Sequence, residues 1–148
     1  DPDFLDATSQ VSMAFVFRDL VPDGAQTRLL WRHTDFGFQA SGDSLSLNLG
    51  TEGGSKWLKI GDFDLEDGEW HRIGMSLDAE ADILKVYVDG QLALERDDLD
   101  LVAPDSGRDF WIGGTPWGRG LEGEIDSVLV ADGILGPEGL DPTAWESF

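Results

Sequence analysis

Two tryptophans and two arginines in the least regular part of the chain are the residues best suited to contact a ligand. Trp111 and Trp117 lie in a glycine-rich stretch, and Arg108 and Arg119 flank them. Apolar neighbours alternate with Trp111, so its ring should point away from the core. Indole rings stack on sugar faces, and guanidinium groups donate hydrogen bonds to hydroxyls and carboxylates. The segment therefore predicts contact with a neutral or carboxylated sugar, or with a carboxylate on a partner.

The alternative for this segment is structural. Trp117 could fold back over the sheet as a lid, with Arg119 paired to a nearby aspartate. Trp57 is a third candidate for ring stacking. Trp31, which follows two leucines, and Trp70 are instead predicted to be core residues.

Paired carboxylates are the feature that would indicate a hydrolase. Glu124 and Asp126 are alternate residues of an apparent strand, so they share a face at about 7 Å, which is within the range of about 5–9.5 Å that glycoside hydrolysis uses. No histidine or tyrosine lies nearby in sequence as a proton carrier. The chain has no cysteine nucleophile and no Gly-x-Ser-x-Gly turn. We therefore predict that it is not an enzyme.

Charge and composition narrow the class of partner. The chain has 30 acidic and 10 basic side chains, with a net charge of −20, which argues against nucleic acid and anionic membranes. No apolar run approaches the roughly 20 residues that span a bilayer. The absence of cysteine disfavours a disulfide-bonded ectodomain and favours a secreted bacterial protein. We expect residues 1–148 to be one domain of a larger protein, with a polysaccharide and other domains of that protein as partners.

Short alternating strands must position these residues. Apolar and polar residues alternate, with glycine- and aspartate-rich turns between them, in the segments 11–19, 28–34, 36–41, 44–49 and 56–63. A helical period of useful length is lacking before the tail. Strands at this spacing predict an all-β sandwich.

One hairpin and two later strands indicate a family. Residues 70–77 and 85–91 alternate as two strands, and the second runs Val-Tyr-Val into the turn Asp89-Gly90. Phe-Trp-Ile-Gly-Gly at 110–114 and Gly-Glu-Ile-Asp at 123–126 follow in order. This series resembles laminin-G-like domains of the concanavalin A-like superfamily. The resemblance implies a two-sheet antiparallel jelly roll, a fold that carries lectins, adhesion modules and hydrolases alike.

The resemblance also implies calcium at the rim of the sandwich. Carried over to this chain, the ligands would be the side chains of Glu52 and Asp105 and the main-chain carbonyls of Arg72 and Ala103. Oxygen atoms from separate loops suit this cation. Asp126 is a second candidate, since an aspartate at this position of the last strand holds a structural calcium in related folds.

These observations fit a non-catalytic carbohydrate-binding module. A calcium site in it is a further expectation. The alternatives are a protein-binding or structural adhesion module, and a hydrolase with an unrecognised site. Exposure of Trp57, Trp111 and Trp117 on one face would favour the first. Carboxylates clustered in a groove would favour the last.

Overall fold

The computed structural model describes residues 9–19, 26–32, 35–41, 44–65, 67–104, 110–112 and 123–140. In these segments the chain forms strands only, and no helix long and apolar enough to cross a membrane is found among them. The strands are β1 (Gln10–Asp19), β2 (Gln26–Arg32), β3 (Phe36–Ser41), β4 (Ser44–Thr51), β5 (Gly54–Asp62), β6 (His71–Asp78), β7 (Ile83–Val88), β8 (Gln91–Arg96), β9 (Phe110–Ile112) and β10 (Gly123–Asp132).

The strands form two antiparallel five-stranded sheets that pack face to face as a jelly-roll sandwich. The first sheet has the order β10-β1-β6-β7-β8, and the second has the order β5-β4-β3-β2-β9. The predicted all-β jelly roll is confirmed, and the predicted strands differ from the observed ones by a few residues at their ends. We call the face of each sheet that points away from the other sheet its outer face.

Alternation along each strand builds the core between the sheets. Leu45, Leu47 and Leu49 of β4 are fully buried, while the residues between them lie on the outer face of the second sheet. In β6, Ile73, Met75 and Leu77 face inward. Burial of apolar area at about 25 cal/mol per Å² makes this face the main source of stability. Further large side chains of this core come from β1, β2, β3, β5 and β7. They are Met13, Phe15, Phe17, Leu30, Phe36, Phe38, Leu58, Ile60, Leu84, Val86 and Val88.

The C-terminal part of the described chain covers the outer face of the first sheet. Leu140 packs with Ala14 and Tyr87 in a small second cluster. The Ser12 hydroxyl donates to the carbonyl of Gly133 at 2.8 Å and accepts from the amide of Leu135 at 2.8 Å. These contacts hold residues 133–140 against the sheet. The outer face of the second sheet has a different composition, and the candidate site lies there.

Candidate functional site

Strand register aligns three tryptophans in one line across the second sheet. Trp111 of β9 lies directly opposite Trp31 of β2, which lies opposite Gly37 of β3. Gly37 pairs with Asn48 of β4, and Asn48 pairs with Trp57 of β5. Residues that are directly opposite in a sheet share a face. We call Trp111, Trp31 and Trp57 the tryptophan row.

The ring of Trp31 lies flat on the sheet because Gly37 has no side chain. A Cβ at position 37 would lie 2.0 Å from Cε3 of Trp31. The Trp31 ring reaches Trp57, with 5.8 Å between ring centroids and 36° between their planes. Trp31 is only 4% exposed, whereas Trp57 is 48% exposed. Trp31 is thus the buried member of the row, and Trp57 presents its ring to solvent.

A second line of polar residues runs beside the tryptophans. Arg28 of β2 lies opposite Gln39 of β3, which lies opposite Ser46 of β4. Ser46 in turn lies opposite Lys59 of β5. On β3 this line is two residues from Gly37, which is about 7 Å along the strand. We call Arg28, Gln39, Ser46 and Lys59 the polar row.

The two rows meet where Arg28 stacks on Trp31. The Cζ atom of Arg28 is 3.9 Å from the centroid of the Trp31 ring. Burial lowers the pKa of the Arg28 guanidinium below its usual value, but an arginine stays charged at physiological pH. This face therefore presents an exposed indole beside a stacked cation, which is the chemistry that contacts sugar rings and their hydrogen-bonding groups.

Two buried polar atoms under this face have no hydrogen-bond partner among the described residues. They are Nε1 of Trp31 and Oε1 of Gln39. A buried polar atom without a partner costs about 1–3 kcal/mol, and such atoms in a native structure often mark a place where a ligand or water completes the bonding.

The structure locates the predicted contact residues only in part. Trp57 is exposed as predicted, and Trp111 is half-buried on the face that carries the row. Trp117, Arg108 and Arg119 lie outside the described residues, so their contribution stays a prediction.

Sequence reasoning missed several residues of this face. Trp31 is buried as predicted, but it lies on the outer face of the sheet and not between the sheets. Arg28 and Gln39 were not singled out, because only the pairing of β2 with β3 places them together. The closest available signal was Arg28 three residues before a tryptophan in a predicted strand.

The prediction of Trp70 as a core residue is wrong. Trp70 precedes β6 and is 43% exposed, and the guanidinium of Arg18 lies over its ring at 4.9 Å. An open depression of about 350 Å³ lies beside it, lined in part by His71 and Asp89. Trp70 is thus about as exposed as Trp57, but an arginine and not a second tryptophan lies against its ring.

His71 ties this end of the first sheet together. Its Nε2 lies 2.7 Å from Oδ1 of Asp67 and its Nδ1 lies 3.0 Å from Oδ2 of Asp89. Burial alone would lower the pKa of His71, but the hydrogen bonds to Asp89 and Asp67 outweigh it and raise that pKa above its usual value. The hydrogen bond to His71 in turn lowers the pKa of Asp67. The imidazole thus bridges two carboxylates at this end of the sheet.

Two of the predicted calcium ligands, Glu52 and Arg72, lie apart in the structure. The amide of Glu52 donates to the carbonyl of Asp100 at 2.9 Å, which brings the Glu52 turn next to the segment containing Ala103. The carbonyl of Arg72 instead accepts from the amide of Asp89 at 2.8 Å. Arg72 is at the opposite end of β6 from the turn that contacts residues 100 and 101.

The remaining calcium candidates stay predictions. Asp105 lies outside the described residues. Within the described segments, no three acidic or histidine side chains are grouped to hold a metal ion. Asp126 is exposed on β10, and its Oδ2 accepts a hydrogen bond from the Ser127 hydroxyl at 2.7 Å.

The candidate catalytic carboxylates lie on the other sheet from the tryptophan row. Glu124 of β10 forms an ion pair with Arg18 of β1. A bulge in the β1–β10 pairing lies between Val16 and Phe17, and Asp126 is the unpaired residue opposite it. The expectation that this pair is not catalytic stays a prediction.

Comparison with known proteins agrees with the architecture. The sequence matches the family Laminin_G_3, described as the concanavalin A-like lectin/glucanases superfamily, over residues 2–140. No curated protein of similar sequence was found.

Similar solved structures include carbohydrate-binding domains. The CBM40 domain of the Ruminococcus gnavus IT-sialidase, bound to alpha2,3 sialyllactose, has a TM-score of 0.72 at 16% identity, over 90% of this chain and 82% of that chain. A candidate carbohydrate-binding protein from Bacteroides ovatus has a TM-score of 0.71 at 17% identity, over 90% and 40%. Botulinum neurotoxin type C, whose cell entry depends on two ganglioside molecules, has a TM-score of 0.62 at 12% identity, over 98% and 37%. At these identities the likeness concerns the fold.

Proposed function

Because the chain belongs to the concanavalin A-like lectin/glucanases superfamily, we propose that it is a non-catalytic carbohydrate-binding module that holds a glycan on the outer face of its second sheet. The observation that carries the proposal is the exposed ring of Trp57 resting on the buried ring of Trp31. Similar folds that bind sialyllactose and gangliosides support it.

The physical basis is stacking of a sugar ring on Trp57. With 48% of this residue exposed, about 100 Å² of a tryptophan surface of about 200–250 Å² remains in water. A sugar on one face covers about half of that area, which is worth about 1.3 kcal/mol at about 25 cal/mol per Å². Trp57 alone should therefore change the dissociation constant about tenfold.

The rest of the face supplies hydrogen-bonding groups and a rigid support for Trp57. Gln39 and Ser46 are partly exposed beside the row, where amide and hydroxyl groups can bond to sugar hydroxyls. Trp31 cannot tilt into the sheet, since its ring already rests on Gly37. A supporting ring that is ordered before the ligand arrives reduces the entropy lost on binding.

Two tryptophans of similar exposure on opposite sheets provide a matched test. Wild type, Trp57→Ala and Trp70→Ala are compared on a glycan array and by affinity electrophoresis in polysaccharide gels. We expect wild type and Trp70→Ala to bind the same glycans, and Trp57→Ala to bind them about tenfold more weakly.

The outcomes are decisive for the proposal. A wild-type protein that binds no glycan would contradict it, and so would unchanged binding by Trp57→Ala. Binding that is lost only in Trp70→Ala would move the site to the first sheet. Reducing-sugar assays on the bound polysaccharides address catalysis, for which we expect no turnover.

A further inference from the structure

Arg28 is set apart from three other arginines because no carboxylate lies beside it in the described part of the chain. Arg18, Arg32 and Arg96 each lie beside a carboxylate within the chain. No carboxylate contacts Arg28 among the described residues, although the sequence has 30 acidic and only 10 basic side chains. A partly buried guanidinium with no carboxylate beside it among the described residues is suited to bind an anion from a ligand.

The stack on Trp31 fixes the direction in which Arg28 can bind. With Cζ at 3.9 Å from the ring centroid, one face of the planar guanidinium is occupied by the indole. The N–H groups of a guanidinium point outward in its plane, where they match the two oxygens of a carboxylate. Stacking on Trp31 thus orders the N–H groups of Arg28 beside the tryptophan row, so that little side-chain entropy is lost on binding.

Gln39 adds an acceptor at the same place. It lies directly across from Arg28, and its buried Oε1 has no donor among the described residues. A ligand that offers an anion to Arg28 and a neighbouring hydroxyl to Gln39 would satisfy both groups. Uronic acids carry a carboxylate and a hydroxyl on adjacent ring carbons, and sialic acids carry hydroxyls on the same sugar as the carboxylate.

We propose that the glycan bound on this face carries a carboxylate, and that Arg28 binds that carboxylate while Gln39 accepts from an adjacent hydroxyl. The proposal rests on the carbohydrate-binding function above and names its ligand class. The net charge of −20 repels an acidic glycan at a distance, but this repulsion is screened beyond about 8 Å at physiological salt. The local contact with Arg28 then decides affinity.

The test compares each acidic glycan with its own methyl ester. An array presents glycans that contain uronic or sialic acid, each as free acid and as methyl ester, together with sulfated glycans. We expect wild type to bind the free acids at least about tenfold more tightly than the esters, which is the usual strength of a charge-assisted hydrogen bond. Arg28→Gln should bind both forms equally, and Arg28→Lys should keep part of the preference because it retains charge without the planar fork.

A variant with the same change in charge controls for the long-range field. Lys85 lies on the outer face of the first sheet, paired with Glu95 at 3.6 Å. Lys85→Gln should keep the full preference for the free acid. Melting temperatures of all variants confirm that they are folded.

Three results would overturn the inference. They are equal binding of acid and ester by wild type, a preference for sulfate over carboxylate, and a full acid preference in Arg28→Gln. If Trp57→Ala still weakens glycan binding, each of these results leaves the carbohydrate-binding function in place and removes only the acidic ligand. Should Arg28→Gln not fold, Arg28→Lys and the wild-type comparison of acid with ester decide the question.

Discussion

Gly37→Ala should disturb the glycan-binding face without removing a side chain that contacts the ligand. The added Cβ would lie 2.0, 2.3 and 2.6 Å from three carbons of the Trp31 ring. Carbon atoms in contact prefer about 3.5–4.0 Å, so the ring must lift by about 1.5 Å. Arg28 also stacks on that ring, with Cζ at 3.9 Å from its centroid, so the displacement passes to it.

The expected magnitudes follow from this displacement. Overpacking of a buried ring costs about 1–3 kcal/mol, which lowers the melting temperature by about 2–12 °C in a domain of this size. A shift of about 1.5 Å takes an Arg28 donor out of hydrogen-bond range, which weakens glycan binding by about 1.5 kcal/mol or about tenfold.

Thermal unfolding and titration calorimetry measure the two effects separately. Calorimetry is run well below the melting temperature, with the oligosaccharide that binds best on the array. Gly136→Ala is the control, since a Cβ there meets no atom within 4 Å. If Gly37→Ala matches wild type in both measurements, then Trp31 does not rest on Gly37 as described and the reasoning fails.

Three further predictions concern stability. Asp35→Ala leaves the fully buried guanidinium of Arg32 without its 3.1 Å ion pair, so the free energy of unfolding in urea should fall by about 3–5 kcal/mol; a loss below 1 kcal/mol would contradict this. The pKa of His71 is raised above its usual value. Its ion pairs therefore stabilise the fold fully below about pH 6.5 and lose this effect as the pH rises through the folded-state pKa. His71→Asn should lower the melting temperature more at about pH 5 than at about pH 8.5, and an equal loss at both would refute this. Calcium at the loop rim predicts that a chelator lowers the melting temperature and that Asp105→Ala removes this difference, whereas identical curves with and without chelator would count against the site.

The fold was accessible from the sequence because its information is local. Leu45, Leu47 and Leu49 alternate with polar residues, so the strand and its buried face follow from period alone. Asp89 and Gly90 have φ of 50° and 83°, which is the left-handed backbone that this residue pair favours in tight turns.

The candidate site was accessible only in part because it depends on register. Trp57 was named from the sequence as a candidate for ring stacking, and its ring is exposed. The line from Trp31 to Gly37 crosses two strands, and a bulge between Arg28 and Trp31 brings Gln39 beside Arg28. A bulge of this kind leaves no reliable mark in the sequence.

Trp70 shows the opposite failure. Its place beside a strand of alternating residues favoured burial, but it stands one residue before β6 begins. Outside the ladder the alternation of faces no longer determines where a side chain points, and the guanidinium of Arg18 from β1 lies over the ring instead.

The most direct test of the central claim is to observe the indole N–H signals of the six tryptophans by NMR during titration with the bound glycan. Signals are assigned with single Trp→Phe variants. The structure predicts that the signals of Trp31, Trp57 and Trp111 shift together with one dissociation constant, while that of Trp70 stays in place. A glycan that shifts Trp70 and leaves the tryptophan row unchanged would contradict the account.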